Sequence, residues 1–191
     1  MTPKLVLLAG GKGKRMGGDK PFAPYGRSTL IETTLERLRP QVREIFINAG
    51  AQTSPLVLPL SCLDAPLIFD DPVFADMRRL RGVLSALDMA RAAEDAMVIT
   101  APCDMPDLPD DMVAQLLAAP PADVVYFKGE RDYPLCALWR ISVADPLRTA
   151  LQQAKGGLAV MRFLATQTVH TIPVSDDTAF VNINHPPLAA G

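Results

Sequence analysis

The chain has 191 residues, 49% of them hydrophobic and 21% charged, and its 19 Lys and Arg against 21 Asp and Glu give a formal net charge of −2. That balance describes one globular domain over residues 1–191. It excludes a disordered chain and a protein that coats nucleic acid through bulk positive charge. No apolar run approaches the roughly 20 residues that span a bilayer, and the run at residues 5–9 is too short for the apolar part of a signal peptide. Three scattered cysteines, Cys62, Cys103 and Cys136, suit a reduced protein of the cytoplasm rather than a disulfide framework or a zinc knuckle.

In chain order, Lys4-Leu5-Val6-Leu7-Leu8-Ala9 reads as a buried strand that runs into two glycines. Thr29 and Glu32 form a capping box ahead of Leu30, Ile31, Leu35 and Leu38, which recur at helical spacing, and Pro40 stops that helix. Strands are expected at residues 44–48 and 66–69. A helix follows at 80–91, with Leu80, Val83, Leu84, Leu87 and Ala90 on one side, and then a strand at 96–100. A short helix starts near Asp110 and carries Met112, Val113, Leu116 and Leu117. Asp107, Asp110 and Asp111 are placed to cap it. Strands at 123–127 and 135–139, helices at 143–154 and 158–164, a strand at 169–173 and an extended tail at 180–184 complete the pattern. The proline-rich stretches 54–66 and 102–121 read as surface connections. Strands that are apolar throughout and alternate with helices imply an α/β fold, its mostly parallel sheet covered on both faces. Such sheets bind ligands beyond the carboxyl ends of their strands, where the strand order reverses.

The segment after the first strand is Leu8-Ala9-Gly10-Gly11-Lys12-Gly13-Lys14-Arg15-Met16-Gly17-Gly18-Asp19-Lys20. Glycines let backbone N–H groups converge on an anion, and four cations share the loop, a combination suited to a polyphosphate. It is not a Walker A loop, because the glycine required ahead of Gly13-Lys14, with four residues between, is missing and no Ser or Thr follows Lys14. A dinucleotide fingerprint also fails, since Met16 stands where a third small residue is needed and the second strand ends in Asn48 rather than an acid.

Leu8-Ala9-Gly10-Gly11 followed by Arg15-Met16-Gly17 and Asp19-Lys20 resembles the signature loop of Rossmann-like nucleotidyltransferases. Within that superfamily the chain is most similar to the molybdenum cofactor guanylyltransferases. The resemblance continues through Asn48-Ala49, Asp70, Leu80-x-Gly82-x-Leu84-Ser85 and Pro102-Cys103-Asp104-Met105-Pro106. It ends with Gly129-Glu130-Arg131-Asp132-x-Pro134 and Phe180-Val181-Asn182-Ile183-Asn184. It implies a three-layer α/β/α fold of the nucleotide-diphospho-sugar transferase type. The implied activity is transfer of GMP from GTP to the phosphate of molybdopterin or Mo-molybdopterin, with release of pyrophosphate. The alternatives are cytidylyl or related nucleotidyl transfer, or a non-catalytic cofactor-binding relative.

The same resemblance implies the site. Arg15, Lys20 and Asp104 take the catalytic roles, and Leu8, Ala9, Gly10, Gly11, Lys20, Asn48, Asp70 and Asp104 contact the nucleotide. Arg131, Asn182 and Asn184 face the acceptor, and Asp104 holds Mg²⁺, a hard cation that prefers oxygen ligands. By residue type alone, Asp70 and Asn48 serve equally as turn or loop-capping residues. Arg131 either grips a phosphate or pairs with Asp132 or Glu130. One departure is plain: Arg78-Arg79-Leu80-Arg81-Gly82 replaces the Gly-Pro-Leu-x-Gly loop of most relatives. Those arginines either grip phosphate or form a solvated basic turn. Molybdoenzymes and their chaperones are further implied partners, membranes and nucleic acid are not, and the expected assembly is a monomer or weak homo-oligomer.

Overall fold

A computed structural model describes residues 3–10, 20–75, 78–154 and 157–183. Gly11, Arg15 and Asn184, and the side chains of Arg78 and Arg79, lie outside the described residues. The first strand, β1 (Lys4–Leu8), is followed by a small hairpin of β2 (Pro24–Tyr25) and β3 (Ser28–Thr29), and then by α1 (Leu30–Leu38). That helix starts where the capping box places it. The Thr29 hydroxyl accepts from the Glu32 N–H, while the Glu32 carboxylate accepts from the Thr29 N–H at 3.0 Å. Next come β4 (Glu44–Asn48), α2 (Val57–Ser61), β5 (Leu67–Ile68), α3 (Arg78–Ala92) and β6 (Met97–Pro102). The second half contains α4 (Met112–Ala118), β7 (Val124–Lys128), β8 (Asp132–Arg140), α5 (Ala144–Gln153), α6 (Val160–Leu164) and β9 (Val169–Pro173).

Seven strands form one sheet in the order β5-β4-β1-β6-β8-β7-β9. Pairing is parallel throughout except around β8, which runs against both β6 and β7. Only three residues separate β7 from β8, and a link that short joins strands only as an antiparallel hairpin. The expected parallel character therefore holds, with one reversed strand inside it.

Side-chain alternation sorts the sheet into two faces. Leu5, Leu7, Ile45, Ile47, Ile99 and Leu138 face α1, α2 and α4 in one core. Val6, Val98, Val124, Ala137 and Trp139 face α3, α5 and α6 in the other. Thr100 sits between strands as a buried polar link, donating to the Leu135 carbonyl at 2.8 Å and accepting from the Trp139 indole at 2.9 Å.

Three local features differ from the sequence reading. Helix α2 lies in a stretch read as a surface connection, where it buries Leu56 and Leu60 beside the proline at 59. The three aspartates before α4 do not cap it with their side chains. Asp107 accepts from Tyr25, Asp110 from Arg37 and Asp111 from Gln115, and the Gln41 side chain instead accepts from the Val113 N–H at 3.0 Å. The tail opens with a 3-10 turn over Asp177–Phe180 before it becomes extended.

Candidate active site

From β1 the chain passes to β4 and β5 on one side, and α3 then carries it back across β1 to β6 on the other. The strand order therefore reverses between β1 and β6, the position at which such sheets bind ligands beyond the carboxyl ends of their strands. Backbone bonds tie the strand ends together. The Ala9 N–H donates to Asn48 O at 3.0 Å, and the Cys103 N–H donates to Leu8 O at 3.3 Å. Gly10 lies against Gly50 so closely that a Cβ on Gly10 would stand 2.5 Å from the Gly50 Cα. The smallness of Gly10 is therefore needed by the meeting of two loops of this chain, before any ligand is considered.

At the end of β6, Asp104 meets Lys20 from the far end of the first loop. The Lys20 Nζ stands 2.5 Å from the Asp104 Oδ2, with the two side chains 17% and 19% exposed. The main chain of Asp104 is held as well, its carbonyl accepting the Ile183 N–H at 3.0 Å. Lys20, Asp104 and the segment carrying Asn182 are thus brought to one place, although they are far apart in sequence. Among the described residues no group of three or more His, Cys, Asp or Glu could enclose a metal. A single carboxylate can hold Mg²⁺ only together with oxygens from elsewhere, such as those of phosphates.

Asp70 and Asn48 form a second cluster, at the ends of β5 and β4. The Asp70 side chain is 4% exposed and fully engaged. Its Oδ1 accepts from the Asn48 amide at 2.9 Å and from Ser85 at 3.3 Å, and its Oδ2 lies 2.6 Å from the Arg81 Nε. Arg81 also donates to the Ala75 carbonyl at 2.6 Å. Arg81 is not a solvated turn residue: it is the counter-ion of the buried Asp70 and pins the start of α3 to the end of β5. Helix α3 comes this close because residue 82 is glycine, where a Cβ would meet the Asn48 Oδ1 at 3.1 Å.

Arg131 is exposed at the tip of the β7–β8 hairpin. Because β7 runs in the same direction as β6, that tip lies at the same pole of the sheet as Asp104. The alternative pairing with Asp132 is not formed. Asp132 accepts from the Tyr126 hydroxyl at 3.0 Å and lies 3.9 Å from the Lys128 Nζ. Cys103, next to Asp104, is no nucleophile: burial pushes its thiol well above the ordinary range.

A doubly wound α/β sheet with a lysine–carboxylate pair where its strand order reverses belongs to the class of folds that bind ligands at the carboxyl ends of their strands. Residues 5–171 match the MobA-like NTP transferase domain, and the chain belongs to that family. It is 37% identical over 183 residues to the molybdenum cofactor guanylyltransferase of Cereibacter sphaeroides, covering 95% of this chain and 90% of that one. It is 33% identical over 187 residues to the protein of the same name from Shewanella amazonensis, with the same coverage. Among solved structures, the molybdopterin-guanine dinucleotide biosynthesis protein A of Archaeoglobus fulgidus superposes with a TM-score of 0.76 at 25% identity, over 96% of this chain and 93% of that one. The 4-diphosphocytidyl-2C-methyl-D-erythritol synthase of Anaerococcus prevotii, at 10% identity and a TM-score of 0.68, shares the fold. Among the described residues no helix is long and apolar enough to cross a membrane.

Proposed function

We propose that the chain transfers GMP from GTP to the terminal phosphate of molybdopterin or Mo-molybdopterin, forming the guanine dinucleotide and releasing pyrophosphate. The observation that carries this reading is the Lys20–Asp104 pair at the switch point, with the segment after β9 hydrogen-bonded to Asp104. The names of the relatives supply the substrates.

In this mechanism an acceptor phosphate oxygen forms a bond to the α-phosphorus as the bond from that phosphorus to the bridging oxygen breaks, and pyrophosphate leaves with the electron pair. The acceptor oxygen is already ionised at neutral pH, so no general base is needed. Positioning and charge stabilisation are the main contributions open to the protein. The loop after β1 provides backbone amides for the triphosphate, and the Lys20 ammonium follows the charge that develops on the leaving phosphates. Asp104 would hold Mg²⁺ together with phosphate oxygens, and the ion would supply Lewis-acid polarisation at the α-phosphate.

Pyrophosphate release from purified protein, Mg²⁺ and molybdopterin with either GTP or CTP tests the reading. Release with GTP alone is expected. Release with CTP alone assigns the chain to cytidylyl transfer instead. Lys20→Met should slow turnover by about 10²–10³-fold, the usual loss for one group that stabilises developing charge. It should also tighten binding of Mn²⁺ alone, because the ammonium no longer competes for the Asp104 oxygen. Asp104→Asn should remove both turnover and Mn²⁺ binding; retained Mn²⁺ affinity would exclude Asp104 as the ligand.

A further inference from the structure

The segment after β9 is fastened to the β7–β8 hairpin by one small cluster. The Val174 N–H donates to Lys128 O at 2.9 Å, extending the β7–β9 pairing by one step. A 3-10 turn over Asp177–Phe180 follows, its start capped by the Asp176 carboxylate accepting from the Thr178 N–H. Phe180 is buried, its ring centroid 5.0 Å from that of Phe127 on β7 and 4.8 Å from that of Tyr133 on β8. The Tyr133 hydroxyl donates to the Asp177 Oδ2 at 2.5 Å. The other oxygen of the same carboxylate covers the hairpin tip so closely that a Cβ on Gly129 would lie 1.7 Å from it. The Gly129 N–H in turn closes the tip onto Arg131 O at 2.9 Å.

Asp177 therefore holds both sides of the hairpin, touching Tyr133 on one strand and filling the place of a side chain at Gly129. Only a few residues later the Ile183 N–H reaches the Asp104 carbonyl. The tip that carries Arg131 and the carboxylate at the end of β6 thus share one tether, and Tyr133 and Asp177 fix its near end. Burial first, and the bond to Asp177 second, push the Tyr133 hydroxyl up to about 12, so it stays a donor throughout the neutral range.

We propose that Tyr133 and Asp177 are positioning residues of the acceptor site, their hydrogen bond holding the hairpin tip that carries Arg131 in place relative to Asp104. This rests on the reading of Arg131 as the acceptor-phosphate ligand. Neither residue touches the reacting atoms. They set where Arg131 stands, and through the same segment they hold the main chain of Asp104.

The test uses the full chain with Tyr133→Phe, which keeps the ring stack, together with Asp177→Asn, Arg131→Ala and the double variant Arg131→Ala/Tyr133→Phe. The steady-state readout is KM for molybdopterin against kcat, beside the affinity for GTP measured by calorimetry. Tyr133→Phe should raise the acceptor KM about tenfold, the size of one hydrogen bond to a charged group, with a smaller change in kcat and with GTP affinity unchanged. The double variant should be no worse than Arg131→Ala alone, because both substitutions remove one function. Independent multiplication of the two effects would overturn the proposal, as would a change confined to melting temperature. An unchanged acceptor KM in Arg131→Ala refutes the Arg131 assignment, and the proposal with it. Hydrogen exchange of the protein without substrate checks the tether separately. The Gly129 and Ile183 amides should exchange faster in Tyr133→Phe and Asp177→Asn, and undiminished protection of both would overturn the coupling whatever the kinetics show.

Discussion

Arg81→Met asks how much the buried Asp70 cluster contributes to stability. Methionine keeps the helix propensity and the length of the side chain while removing the guanidinium. With the Asp70 and Arg81 side chains 4% and 12% exposed, solvent screens the pair little, and the substitution leaves the Asp70 Oδ2 without its cation. Removing one partner of a buried ion pair costs about 3–5 kcal/mol. The lower end applies, because Asn48 and Ser85 still donate to Oδ1. At about 2–4 °C per kcal/mol for a chain of this size, the melting temperature should fall by roughly 6–12 °C. Urea unfolding followed by fluorescence measures the loss directly, since the single tryptophan, Trp139, is fully buried between β8 and its helices. Asp70→Asn in the Arg81→Met background removes the stranded charge and should restore a large part of the stability. Arg39→Met, which breaks an ion pair whose side chains are 45% and 102% exposed, should cost no more than about 1 kcal/mol. An Arg81→Met loss as small as that of Arg39→Met, or a double variant no more stable than Arg81→Met, refutes the account of Asp70 as a charge held by Arg81.

Three further outcomes are expected. Gly10→Ala must displace backbone at Gly50 and should lower the urea-derived stability by about 1–3 kcal/mol; an unchanged midpoint means the two loops do not meet as described. In the native protein one thiol of three, the exposed Cys62, should react promptly with a disulfide reagent, while Cys103 and Cys136 react only on unfolding, because burial raises both thiols far above their ordinary range. Hydrogen bonds from Thr29 and Ser28 hold the Glu32 carboxyl below its ordinary value of 4.5, so its stabilising contribution is complete above that pH and disappears as pH falls through the lower folded value. Glu32→Gln should accordingly flatten the decline of the urea midpoint in that acid range, and a decline parallel to the parent chain would contradict it.

The alternation of strand and helix was legible because it rests on local signals: the capping box before α1, the apolar runs of β1 and β4, and the helical spacing in α3. What escaped was decided by distant partners. Helix α2 was hidden by its prolines, although Leu56 and Leu60 stand at helical spacing. The N-cap of α4 was assigned to nearby aspartates, yet the donor is satisfied by Gln41, brought up only when α1 packs beside α4. Lys20, Asp70 and Asp104 were each singled out as site residues, but nothing local indicates that Lys20 stands on Asp104 or that Arg81 stands on Asp70. Tyr133 and Asp177 carried no signal, since a tyrosine in a strand and an aspartate in a turn are ordinary there until the fold joins the two and sets Asp177 over Gly129.

The hydrogen bond from Ile183 to Asp104 also has a meaning for how the protein becomes competent. It joins the end of β6, in the middle of the chain, to residues that follow the last strand. All residues of β1, β4 and β6 are synthesised before Ile183 is, and folding during synthesis starts from the N-terminal side. A nascent chain can therefore pair β1, β4 and β6 while the main chain at Asp104 still lacks its final partner and both cores await the second half of the chain. Formation of that bond then reports that the whole sheet, out to β9, has been assembled.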